Sequence, residues 1–272
     1  MYFFEGNSAG VMAFDRALSA LEIATLAAAG PPAPALPIAT EVARGTDGRA
    51  GALVWAGGSY SLGGGPAVPA AVPAPQVLSG PWHLAFQPGR GAPAAIELRE
   101  LESLHLNADE GVRYFSGTAT YTHGLEVPAG FVAPGRRVWL DLGRVEVMAR
   151  VTVNGRDLGV VWKEPYRLDI TDAVHAGANR LDVAVTTLWP NRLIGDEHLP
   201  AENDYGRSDE RGVEVGGIRR LPDWYAEGKP KPPGGRITFT TWRFYTQDDP
   251  LLASGLLGPV RLLNPVHIAL PE

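Results

Sequence analysis

Two sets of residues in this chain have types and spacings that could do chemistry. The first is a set of carboxyl groups: the adjacent pairs Asp196-Glu197, Asp209-Glu210 and Asp248-Asp249, with Glu202, Asp204, Glu214 and Asp223 in the same stretch. Hydrolysis by one carboxyl acid and a second carboxylate needs the two groups about 5 to 9.5 Å apart. Neighbours on an extended chain point to opposite sides, and each pair lies beside turn residues, so solvated or turn-forming roles fit these pairs. A pair made by the chain folding back on itself stays open. The second set mixes rings with polar forks: Trp189, Asn191, Arg192, Asp196 and Glu197, then Trp224 and Tyr225, then Trp242 and Arg243. Aromatic rings stack on the apolar face of a sugar while Asn, Asp and Arg take vicinal hydroxyls. Two roles are open to this set. It could converge at one rim to contact sugar, or Trp189 could plug the end of the fold while Arg192 pairs with Asp196 to pin a loop.

Other chemistries find little support. His83, His105, His123, His175, His198 and His267 are dispersed, without HxH or HExxH spacing, so no zinc site is expected. The absence of cysteine removes disulfides and thiolate ligands. No cofactor is expected, and a structural calcium ion held by carboxylates and carbonyls would leave no firm signature. Gly63-Gly64-Gly65 precedes no helix, so it is not a phosphate loop, and no G-x-S-x-G nucleophile motif occurs. A net charge of -6 gives no reason to expect nucleic acid or an anionic membrane as partner. No apolar run of about 18 residues could span a bilayer, and MYFFEGNSAG lacks the regions of a signal peptide.

The elements that must hold these residues are strands. From 147 to 153 the sequence alternates apolar and polar residues, Asn154-Gly155 supplies a two-residue type I′ turn, and a second strand follows. A two-residue loop sets Val151 opposite Leu158, Ala149 opposite Val160 and Val147 opposite Trp162, all apolar on one face. GPWHLAF, AAIELREL, VRYFSGTATYTHGLEV, RRVWLDLG, YRLDIT and RLDVAVTTL are further strand-like runs, and ITFTTWRFY and GLLGPVRLL continue them near the end. So many short strands with no long helix between them predict an all-β fold, an antiparallel β-sandwich or jelly roll. Residues 189–235 lack periodicity and read as one long loop of the kind that carries function. Residues 52–55 and 59–62 flank Ala56-Gly57-Gly58 and predict a small hairpin, and Ser19 with Glu22 at capping-box spacing predicts a short helix over 20–29.

VTVNGRDLGVVWKEPYRLDITDAVHAGANRLDVAVTTLW resembles the sugar-binding jelly-roll domain of glycoside hydrolase family 2, a galactose-binding-domain-like fold. With YFSGTATY, WPNRLIGD and SGLLGPVRL, residues 76–265 are similar to the C-terminal β-sandwich of glycoside hydrolase family 106, whose activity is α-L-rhamnosidase. FDRALSALEIATLAA resembles the closing segment of laminin-G-like sandwiches. The resemblance implies that residues 1–30 are the tail of an upstream laminin-G-like sandwich. A Pro/Ala/Gly-rich linker with the small hairpin follows at 31–75, then the jelly roll at 76–265 with its loop at 189–235, and a tail at 266–272. Enzymes of that family carry their carboxylates on a barrel upstream of this sandwich, and no strand-helix alternation here supplies one. The implied role is a non-catalytic module that supports the catalytic domain of a parent glycosidase and contacts plant-type or bacterial polysaccharide, with no nucleic acid or membrane partner. The parent is expected outside the cell or in the periplasm. A free-standing carbohydrate-binding module and a structural interaction domain without sugar affinity are the alternatives.

Overall fold

The computed structural model describes residues 40–45, 48–61, 65–206, 217–232 and 235–269. In chain order, β1 (Thr40–Arg44), β2 (Ala50–Val54), β3 (Gly58–Tyr60) and β4 (Val68–Ala70) come first. The sandwich opens with β5 (Gln76–Val77), β6 (Trp82–Phe86), β7 (Ala95–Leu98) and a one-turn helix α1 (Glu110–Arg113). It continues through β8 (Thr118–Val127), β9 (Trp139–Asp141), β10 (Arg144–Glu146) and β11 (Met148–Val153), then β12 (Arg156–Val161), β13 (Arg167–Asp169) and β14 (Gly177–Thr186). Two short helices, α2 (Pro190–Asp196) and α3 (Asp223–Ala226), precede β15 (Gly255–Gly258), β16 (Arg261–Leu263) and β17 (Val266–Ala269).

Six strands in the order β12-β11-β14-β8-β6-β7 form the larger sheet, and four in the order β13-β9-β16-β5 form a second. β14 and β8 pair antiparallel along their whole length, from Gly177↔Val127 to Thr186↔Thr118. Their alternate residues point inward: Ala119, Tyr121, Leu125 and Val127 on β8, and Leu181, Val183 and Val185 on β14. These join Leu140, Leu142, Val260 and Leu262 in one buried cluster. Each fully buried aliphatic side chain there contributes about 1.5–3 kcal/mol. The antiparallel β-sandwich expected from the period-2 runs is the observed architecture.

The central hairpin forms with a shifted register. Asn154 (φ 51°) and Gly155 (φ 81°) make the turn, and Val153 faces Arg156 and Thr152 faces Asp157 as a two-residue loop requires. A bulge then slips the pairing by one, so Ala149 faces Val161 instead of Val160, and Val160 and Trp162 turn outward to solvent. The cause is Gly159, whose φ of 93° admits an extra residue on β12, while its N–H donates to the Asp157 carboxylate at 3.1 Å.

Other expectations need correction. The hairpin expected of 52–55 with 59–62 is not formed by its described residues. β2 is buried from Gly51 to Val54, so it takes a partner on each edge, β1 and β17, while β3 pairs with β4. Residues 266–269, expected in a tail, are therefore a strand, with Ile268 in a small second core beside Ala52, Val54 and Ala70. GLLGPVRLL divides into β15 and β16 because Pro259 has no N–H for a ladder. ITFTTWRFY pairs as no strand, and the loop 189–235 contains both α2 and α3. The helix expected over 20–29, the linker at 31–37 and the carboxylates Asp209, Glu210 and Glu214 lie outside the described residues.

Candidate functional site

The site is built from α2, which begins where β14 leaves the sheet. Pro190 occupies the first turn, where its missing N–H costs nothing. Asn191, Arg192, Ile194, Gly195 and Asp196 are all buried, an unusual load of polar groups for one short helix. Each is answered. The Asn191 amide donates to the Leu252 carbonyl and accepts from the Leu252 N–H, both at 2.8 Å, as a strand neighbour would. Arg192 Nη2 lies 3.0 Å from Asp196 Oδ1 with the two side chains 8% and 1% exposed. This ion pair lies off the hydrogen-bonding axis, leaving Oδ1 and Arg192 Nε without a hydrogen bond. The guanidinium also sits over the Tyr114 ring at 5.7 Å.

The other Asp196 oxygen fixes the segment after the long loop. It accepts from the Thr238 N–H at 2.7 Å and from the Thr238 hydroxyl at 2.6 Å. Glu197 continues the clamp. Its Oε1 takes Arg236 Nη1, and its Oε2 takes Arg243 Nε at 3.2 Å and Nη2 at 3.1 Å. Arg236 also donates to the carbonyls of Pro200 and Leu199, each at 3.1 Å. Lys231 pairs with Glu202 at 2.7 Å and donates to the Thr238 carbonyl at 3.0 Å. Residues 236–243 therefore satisfy much of their backbone with side chains, which is why their strand-like alternation yields no strand.

The rings divide into groups. Arg90 lies over the half-exposed Trp189 at 4.7 Å. Tyr225 stacks on Phe239 at 5.2 Å, and Trp224 meets Phe239 edge-on at 5.5 Å. Trp242 is exposed beside Gly217. Among the described residues no ring pair joins Trp189 to the Trp224–Tyr225–Phe239 group. Of the predicted set, the structure thus unites Asn191, Arg192, Asp196, Glu197 and Arg243, and leaves the three tryptophans apart. Arg90, Arg236, Thr238 and Phe239 were missed. Sequence spacing carries no signal for partners so remote, apart from the alternation that led 237–245 to be read as a strand.

The described carboxylates of this segment are engaged by partners within the protein. Asp196 and Glu197 each hold an arginine, Glu202 holds Lys231, Asp204 pairs with Arg219 at 3.3 Å, and Asp223 pairs with Arg220 at 2.6 Å. Asp249 accepts from the Thr246 N–H at 2.6 Å in a turn. Among the described residues no group of three or more His, Asp or Glu could hold a metal ion, and no helix is long and apolar enough to cross a membrane. Beside Glu197 lies a shallow cleft of about 250 Å³ lined by Glu197, Leu199, Ala201, Tyr205, Arg236 and Arg243.

No protein-family model matches the chain. It is 41% identical over 191 residues, 70% of its length, to a Formosa agariphila protein provisionally named a β-glucuronidase. The structure of a rhamnosidase from Novosphingobium sp. PP1Y superposes with a TM-score of 0.54 and 40% identity over 73% of the chain. The chain spans only 16% of the length of each. About 70% of this protein is thus related to one segment of much longer glycoside hydrolases.

Proposed function

We propose that this chain is a non-catalytic β-sandwich module of an α-L-rhamnosidase-like glycoside hydrolase, of the family 106 kind, acting outside the cell or in the periplasm. Its task is to pack against the catalytic domain of the parent protein and to hold the 189–243 segment in place beside it. The observation that carries this reading is the state of the carboxylates. Asp196 and Glu197, the pair nearest the cleft, are both engaged by arginine, and Asp196 by Thr238 as well. A general acid must reach the leaving oxygen with a transferable proton, and both carboxylates here are turned to partners inside the protein. The 40% identity with a rhamnosidase supports that choice of substrate class. The purified chain is expected to release nothing from an aryl α-L-rhamnoside; release above the uncatalysed rate defeats the proposal.

A second reading, a carbohydrate-binding module in its own right, draws on the exposure of Trp189, Tyr225 and Trp242. It requires that the chain bind a rhamnose-rich polysaccharide and that Trp189→Ala or Trp224→Ala abolish the binding.

A further inference from the structure

We infer that the cleft beside Glu197 is a subsite for an anionic sugar residue, a pyranose carrying a carboxylate or a sulfate ester, on the module proposed above. The charge balance of the cleft is the starting point. One carboxylate, Glu197, faces two guanidiniums, Arg236 and Arg243. Arg236 is 11% exposed and Glu197 10%, and every nitrogen of Arg236 has a protein acceptor. It neutralises Glu197 from the interior side. Arg243 is 47% exposed, directs Nε and Nη2 to Glu197, and has no protein partner for Nη1 among the described residues. Among the described residues the cleft therefore keeps one positive charge, on a guanidinium whose plane is already fixed from behind.

A fixed planar fork suits a carboxylate or sulfate, which it can grip through two parallel N–H groups. Holding it in place before binding removes part of the ordering cost. Leu199, Ala201 and Tyr205 give part of the wall an apolar character, with the Tyr205 hydroxyl held at 3.0 Å from Thr240 Oγ1. Such a wall fits the C–H face of a pyranose. At about 250 Å³ the space lies just under the about 300–1,000 Å³ of drug-sized sites, a fit for one ring. Among the described residues the neighbouring charges do not cancel the field, because Lys231 pairs with Glu202 at 2.7 Å and Arg219 with Asp204 at 3.3 Å.

The test is calorimetric titration of the full chain with methyl β-D-glucuronide, galactose 6-sulfate and neutral methyl β-D-glucoside, at low and high salt. One or both anionic sugars should bind about fivefold or more tighter than the glucoside, with the margin shrinking at high salt. Arg243→Gln should erase the margin, and Arg243→Lys should keep part of it; both sit on a half-exposed side chain, and matching melting curves verify the fold. Whichever anion is preferred names the group recognised. Equal binding of charged and neutral sugars, absence of any binding, or an Arg243→Gln protein that still prefers the anion would overturn the subsite and leave the non-catalytic module intact. Rhamnoside hydrolysis by the chain would do the opposite.

Discussion

Asp196 shows how a residue that looks catalytic on paper is made structural. Its side chain is almost wholly buried, one oxygen facing Arg192 and the other taking both Thr238 donors. Removing one member of a buried ion pair strands the other charge, at a cost of about 3–5 kcal/mol. Asp196→Ala should therefore lower the denaturant midpoint sharply, and the same change at exposed Asp223 should leave it within about 0.5 kcal/mol. Tyr121 offers a pH test. Burial pushes its phenol well above the usual tyrosine range, only partly offset by the Leu256 N–H at 3.1 Å. Its folded-state value exceeds the unfolded one, so its stabilising effect is complete below the unfolded value of about 10 and lost as pH rises above it. Tyr166, raised by burial and by Glu146 and Glu164, acts in the same direction. Tyr121→Phe should flatten the alkaline fall in stability measured between neutral pH and pH ~11, and should cost about 1–3 kcal/mol at neutral pH for the stranded Leu256 N–H. The Arg192–Asp196 pair was one of the two roles open to that set from sequence, as a pin for the loop. Arg90 over Trp189 was not legible there, because nothing local links residues so far apart.

At the level of elements, the sequence was most readable where the period is strict. β8, β11 and β14 could be marked from alternation alone, and Asn154-Gly155 identified its turn. The register of the hairpin went astray at one residue, since a bulge adds a position without changing composition. Gly159 has open space around its missing Cβ but a φ of 93°. Gly159→Ala therefore isolates the backbone term and should destabilise by about 1–2 kcal/mol. Chemical denaturation reads this directly, and an unchanged midpoint would mean that the bulge is not required. The 236–243 segment misled for a different reason. Its alternation is real, yet its amides and carbonyls find Asp196, Glu202 and Lys231 in place of a neighbouring strand. Periodicity reports which side chains could face one way; it does not report what the backbone bonds to.

For the whole molecule, the all-β class was readable because short alternating runs dominate the chain. The satellite sheet was hidden, since β17 is only four residues long and its partner β2 lies at the other end of the described chain. Deleting 266–272 should unfold this sheet by baring one edge of β2 and the Ile268 contact, while the sandwich core, which uses none of these residues, keeps its melting transition. Hydrogen exchange resolves the two: protection should vanish from β1 and β2 and persist in β8 and β14. A single transition lost throughout would mean that the two cores fold as one.

That small sheet also has a mechanical consequence. β1 and β17 flank β2, with Thr40 and Val266 both opposite Val54, so Thr40 and Ala269 lie toward opposite ends of parallel neighbours. Tension applied at those two points loads the rungs on either side of β2 in shear, all at once, before any of it reaches the sandwich threaded between them. The three strands behave as a clasp, and the larger body stays slack until the clasp opens.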